Sequence, residues 1–282
     1  MSTVFRRAIH RGLYCIEAMD RDPAVAGRFY AGEPDRLALE VDRFLAGGAE
    51  PVRAIGVVAP HAGYVYSGAV AGAVYGRVVV PERVVVLGPN HTGLGGKVAL
   101  WADGRWETPL GHVPVDLEMA EALLASALVE RGREAHRYEH SLEVQVPFLQ
   151  RRQRRLSIAP LCLGPLSLPE CEALGKEVAR VAAASGALVV ASSDMSHYLP
   201  AAEARARDGR ALERLLALDP RGLYEVVRRE HISMCGFVPA TVMLVAAREM
   251  GATRAELVRY GHSGETTGDD RSVVGYAGVV VA

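Results

Sequence analysis

The chemistry in this sequence gathers around its histidines. Three of the nine, His61, His91 and His197, stand just past strand-like runs, in VVAPHAG, VVVLGPNHTG and VVASSDMSHY. A neutral imidazole is a common metal ligand and a proton carrier near neutral pH. In open α/β sheets, ligands bind in the crevice beyond the carboxyl ends of the strands. If the three runs are parallel strands of one sheet, their ends face the same side and the imidazoles converge. A single histidine in a turn is as often a plain polar turn residue. Three in equivalent positions point to one shared site.

Two imidazoles need a third donor to hold a metal. Asp194, Glu139, Glu143, Asp269, Asp270 and Cys235 all qualify by type. A carboxylate would complete the two-His-one-carboxylate set of non-haem iron, and a thiolate a His2Cys set suited to zinc, copper or iron. Cys235 opens the apolar helical stretch CGFVPATVMLVAAREMG, where the helix N-terminus favours a thiolate. A lone cysteine is nevertheless most often a small buried hydrophobe, and the residues alone favour that reading of Cys235. Asp194 stands three residues before His197, so a helical turn would put them on one face, with the carboxylate orienting the imidazole. His140, in YEHSLEVQVPFLQ, either contacts a ligand or belongs to a capping turn. The glycine- and hydroxyl-rich GHSGETTGDD lacks the spacing and lysine of a phosphate loop.

The elements that must position these groups alternate. PDRLALEVDRFL reads as a helix with proline in its first turn and glycine after its end. A strand at 54–59, a helix at 67–75 and a strand at 83–87 follow. KVALWADGRWETPLG reads as a hairpin turning at Asp103-Gly104, and 116–130 as a helix. Further on come a helical stretch around Pro147, a strand in RLSIAPLCLG, a helix at 169–184 and a strand in ALVVASS. Helices at 202–218, 220–229 and 237–251 and two final strands complete the chain. This alternation predicts one α/β domain with a largely parallel or mixed central sheet.

Bulk properties narrow the classes. Of 282 residues half are hydrophobic and 23% charged, and the net charge is −1. That balance is globular and gives no electrostatic case for nucleic acid or an acidic membrane surface. No apolar run reaches the ~20 residues needed to span a bilayer. Cys15, Cys162, Cys171 and Cys235 show no C-x-x-C spacing, which predicts a reduced, cytoplasmic protein. Residues 1–22 read as an N-terminal extension, in which Met19 offers an alternative start.

Seven blocks, GRFY, PHAGYVYSG, LGPNHTG, EHSLEVQVPF, SSDMSHY, CGFVPA and YGHSGETTGD, stand in the order found in the Memo family, and residues 23–282 resemble that family. Its fold is similar to that of the class III extradiol dioxygenases, which implies an αβ-sandwich. The resemblance implies His61, His91 and Cys235 as metal ligands, reversing the reading of Cys235 from its surroundings alone. It places His197 at the dioxygenases' catalytic histidine, with Asp194 beside it and His140 in the same pocket. Those enzymes use a carboxylate where this chain has cysteine. A thiolate shifts preference toward copper or zinc while still accepting iron. Family members are described as metal-binding and redox-linked, with iron and copper both proposed. Some bind phosphotyrosine-bearing peptides, and prokaryotic members accompany radical-SAM and AMMECR-type proteins. The resemblance thus leads to an iron or copper redox protein, a dioxygenase-like oxidoreductase acting on a small molecule or peptide. The alternatives are a non-catalytic module that binds a peptide or partner protein, and zinc-dependent hydrolysis.

Overall fold

A computed structural model describes residues 20–47 and 50–282. The expected N-terminal extension, with Cys15, lies outside the described residues except for Asp20–Asp22. Arg21 belongs to the body: it is buried and ion-paired with Glu143 at 2.7 Å.

The first helix among the described residues is α1 (Pro34–Leu45), which has proline in its first turn and buries Leu37 and Val41. Strand β1 (Gly56–Ala59), helix α2 (Tyr64–Arg77) and strand β2 (Arg83–Pro89) follow. Strand β3 (Val98–Leu100) precedes a small hairpin of β4 (Arg105–Thr108) and β5 (Gly111–Pro114). Next come α3 (Leu117–Leu124), β6 (Glu130–Arg131), the single turn α4 (Glu134–Arg137), a 3-10 turn at Glu143–Gln145 and α5 (Val146–Arg152). Strand β7 (Ser157–Leu163), α6 (Leu168–Ser185), β8 (Leu188–Ser192) and β9 (His197–Leu199) lead to α7 (Ala201–Leu216). Helices α8 (Pro220–Arg229) and α9 (Phe237–Glu249), strand β10 (Ala255–His262), the short α10 (Gly264–Thr267) and β11 (Val273–Val281) complete the order.

The main sheet runs β10-β11-β1-β8-β2-β7-β3-β6, and β9 pairs with β11. Its centre is parallel: β1 with β8, β8 with β2 and β2 with β7. Both flanks turn antiparallel, at β11 against β1 and at β3 against β7. The central strands are valine-rich and buried along their length, as strands covered on both faces must be. Helix α9 packs on β1, β2 and β8, with α6 and α8 against it; α2 packs on β1, β10 and β11, with α1 and α5 beside it. The two helical layers take opposite faces. A side chain at Gly56 would meet Met243 of α9, and one at Gly278 would meet Val74 of α2. The expected mixed α/β sandwich is therefore present.

Three local expectations are corrected. The hairpin is β4–β5, turning after Thr108 rather than at Asp103-Gly104, because the apolar Val98–Leu100 is drawn into the main sheet between β7 and β6. The helix expected over 116–130 stops at Leu124, capped at its start by Asp116. Residues 193–196 are not helical but lead directly into β9, so Asp194 and His197 do not share a helix face.

Candidate metal centre

The parallel centre of the sheet decides the site. The ends of β1, β8 and β2, adjacent in that order, open on one side. His61 follows β1, Asp194 follows β8 and His91 follows β2. Strands two places apart are separated by roughly 10 Å, so backbone position alone does not bring His61 to His91. The turns beyond the strands do that. A donor atom of His61, one of His91 and Sγ of Cys235 all lie within 4.8 Å of one another. The two rings stand edge to face, 5.2 Å between centroids.

Each ligand-type side chain is held by a built turn. Past β1, Asp194 Oδ1 accepts the backbone N–H groups of His61 at 2.7 Å and Ala62 at 3.3 Å. Past β2, Asn90 Oδ1 accepts N–H from Thr92 and Gly93, an Asx-type turn that shapes the loop around His91. Cys235 precedes Gly236, which starts α9 and donates its N–H to Ser193 Oγ at 3.0 Å. A β-carbon at Gly236 would sit 2.2 Å from the Ser192 carbonyl oxygen, so only glycine lets the cysteine turn press this closely on the end of β8. Cys235 Sγ lies 3.1 Å from His61 Nε2 and accepts the Asp194 N–H at 3.3 Å.

Glu139 organises the second imidazole. Its carboxylate accepts N–H from His91 at 2.5 Å and from His140 and Ser141 at 2.9 Å each. It also faces His91 Nδ1 at 2.9 Å. Burial pushes the carboxyl pKa up, but the His91 hydrogen bond and charge and the backbone donors outweigh it and hold Glu139 down to about 2. An ionised carboxylate only accepts hydrogen bonds, so Nδ1 of His91 carries a hydrogen, and in the neutral ring the lone pair is at Nε2. This is the carboxylate–histidine arrangement that orients metal-binding imidazoles. Burial lowers His91 and Glu139 raises it, with a net rise. His61 is lowered well below its ordinary value by burial and by the neighbouring imidazoles. Burial and the Asp194 charge push the Cys235 thiol up, and burial raises the Asp194 carboxyl to about 6.

The remaining candidates divide. His140 joins the cluster: its ring stacks on His91 at 4.8 Å and meets His61 edge-on at 5.5 Å, with Phe29 against it. His91, Glu139 and His140 form a second close group of donors. His197 is not steadied by Asp194. Its N–H goes to Ser233 Oγ and its Nδ1 to the Ser233 carbonyl, at 2.8 and 2.9 Å. It remains close enough for its charge to act on both His61 and Asp194. Glu143 is consumed by Arg21, Tyr30 and two backbone N–H groups. Asp269 and Asp270 stay on the loop after α10, where Asp269 pairs with Arg271. The sequence reading gave Ser192, Gln145 and Ser233 no part in holding the imidazoles, and took Glu139 as a ligand candidate rather than an imidazole's partner. A glutamate beside a histidine is a weak sequence signal; the others left none.

Fold and cluster together define the class: an α/β protein whose sheet delivers two imidazoles and a thiol to one point past its parallel strands. Comparison with known proteins gives the family. The family model described as Memo-like protein matches residues 21–280. A MEMO1 family protein of Methanosarcina barkeri is 46% identical over 93% of this chain and 99% of its own length. One from Aquifex aeolicus is 43% identical over 92% of this chain and 98% of its own. The chain belongs to the Memo family. Among solved structures, an uncharacterized protein of Escherichia coli K12 aligns with a TM-score of 0.45 at 14% identity, over 70% of this chain and 86% of that one.

Proposed function

We propose that this protein is a metal-dependent redox protein in which His61, His91 and Cys235 hold one iron or copper ion. The observation that carries the reading is the convergence of these three donors within 4.8 Å, from three separate segments of the chain. The donor set fits a transition metal. His91 presents a lone pair at Nε2, the thiol can ionise against a cation, and the set is too soft for calcium or magnesium. Such an ion would supply a Lewis-acidic, redox-active centre with positions left for a ligand. The chain's own groups surround it with proton handling. The His197 Nδ1–H is fixed on the Ser233 carbonyl, which leaves Nε2 to take or give a proton. His140 stacks against His91. The fully buried His61 excludes water from its side of the centre.

A binding module without turnover is the second reading. Tyr198 favours it: the residue is 78% exposed beside His197, with its backbone at φ 59°, a region bulky residues rarely occupy. Elemental analysis of protein purified without chelator or nickel tests the first reading. Stoichiometric iron or copper is expected, lost in His61→Ala and Cys235→Ser. Metal-free protein that takes up neither ion on titration would overturn it. Oxygen consumption across a phenol panel, diminished in His197→Ala, separates turnover from binding alone.

A further inference from the structure

Nothing in the family match says how His61 is held, yet its position is the most constrained in the site. Its Nδ1 lies 2.9 Å from Ser192 Oγ, the last residue of β8. A hydroxyl has one hydrogen, and that of Ser192 is committed: Oγ lies 2.6 Å from the Ser141 carbonyl oxygen, which can only accept. Ser192 Oγ also receives a hydrogen from Gln145 Nε2 at 2.8 Å. The orientation of the Gln145 amide is fixed in turn. Its Nε2 lies 3.0 Å from the Pro60 carbonyl oxygen, and its Oε1 accepts from the buried Tyr75 hydroxyl at 2.8 Å. Flipping the amide would set two acceptors against each other at Pro60.

We infer that Ser192 and Gln145 are positioning residues that lock His61 in the tautomer with hydrogen on Nδ1, leaving the Nε2 lone pair toward Cys235. With the Ser192 hydrogen spent on Ser141, Ser192 Oγ has only acceptor capacity left for His61. The chain of donors runs Tyr75 to Gln145 to Ser192, meets His61 Nδ1–H at the same oxygen, and closes on the Ser141 carbonyl. All of its members are buried, so water does not compete for any of these bonds. The assignment rests on the metal reading only for its use, since the tautomer exists in the metal-free chain.

The test is nitrogen NMR of full-length protein labelled at histidine and freed of metal, with the His61 signals assigned from a His61→Gln spectrum. Wild type is expected to show hydrogen on Nδ1 and an unprotonated Nε2. Ser192→Ala is expected to lose this single tautomer, and Ser192→Thr, which keeps the hydroxyl, to retain it. Cobalt(II) titration should show affinity on the order of 10–100-fold weaker in Ser192→Ala and near wild type in Ser192→Thr. A wild-type spectrum with hydrogen on Nε2 overturns the inference without any variant, and so does an unchanged tautomer in folded Ser192→Ala. Wild-type protein with the stated tautomer that binds neither cobalt, iron nor copper supports the relay and overturns the metal reading instead.

Discussion

The two imidazoles of the centre are built in opposite ways. His61 is fully buried and tied through Nδ1 to a neutral hydroxyl at the end of a central strand. His91 sits in a turn, its side chain about a third exposed, and is tied through Nδ1 to an ionised carboxylate. Burial keeps the first neutral, whereas the carboxylate draws the second toward its protonated form. One arm is fixed by packing and uncharged hydrogen bonds, the other by charge. Both nevertheless depend on a single segment, Glu139–Gln145. Glu139 holds His91, while the Ser141 carbonyl and the Gln145 amide hold the serine that meets His61. The arms differ in the depth of the ring and not of its partner: Glu139 is itself buried, its charge met by the backbone N–H groups of His91, His140 and Ser141.

That shared segment gives the strongest way to break the distinction. Glu143, in its middle, is buried and satisfied by Arg21, Tyr30 and the N–H groups of Ala24 and Val25. Glu143→Ala leaves the Arg21 guanidinium buried and unpaired, at a cost of about 3–5 kcal/mol. Both arms should loosen together, seen as a fall in denaturation midpoint with metal affinity lost through both histidines. An unchanged midpoint would show that the segment does not need this anchor.

Next in size is Glu139→Gln, which sharpens the contrast. It removes the charge and sets an amide N–H against backbone donors, so cobalt affinity should drop on the order of 10–100-fold. The His61 tautomer should stay as in wild type. A change in both rings would mean that the arms are not separable. Gly236→Ala probes the cysteine arm. Its methyl would collide with the end of β8, costing about 1–3 kcal/mol of stability by chemical denaturation and moving Cys235 off its neighbours. A wild-type melt would show that the turn can give way.

The smallest effect is a control at the far ends of the same strands. Asp116 caps α3 and binds Arg83 of β2 and Ser157 of β7. Burial pushes its carboxyl up, but the Met119 N–H, Arg83 and Ser157 outweigh this and the net pKa is lowered. The charge therefore stabilises the fold above the ordinary carboxylate value of about 3.9, and that contribution is lost as pH falls through the lower folded value. Asp116→Asn should cost about 1 kcal/mol at neutral pH, with the gap from wild type closing in acid and metal affinity unchanged. A gap that persists in acid would assign the loss to packing rather than charge.

The order of elements was legible because valine runs bounded by glycine and proline leave little choice of strand, and PDRLALEVDRFL carries both its period and its stops. The segment with Val98–Leu100 was misread as one hairpin, since pairing partners depend on which sheet edge is nearby and no local pattern encodes that. At the centre, His61, His91 and His197 stood out by their places after strands. Cys235 was a candidate by type and by its place at the start of a helix, but only the family resemblance turned its reading from a small buried hydrophobe to a ligand. Asp194 was recognised but assigned to the wrong neighbour: its carboxylate reaches back across the sheet to the His61 backbone instead of forward along the chain.

By itself, then, the sequence determined which segments become strands and that histidines stand at their ends, because hydrophobic periodicity and turn residues act over a few neighbours. Only the tertiary structure decided that a thiol 174 residues away would stand 3.1 Å from His61 Nε2. It also decided that one hydroxyl, its hydrogen already given to Ser141, would choose the tautomer. Such choices depend on where donors and acceptors from distant strands meet once water has been excluded, and no stretch of chain carries that information alone.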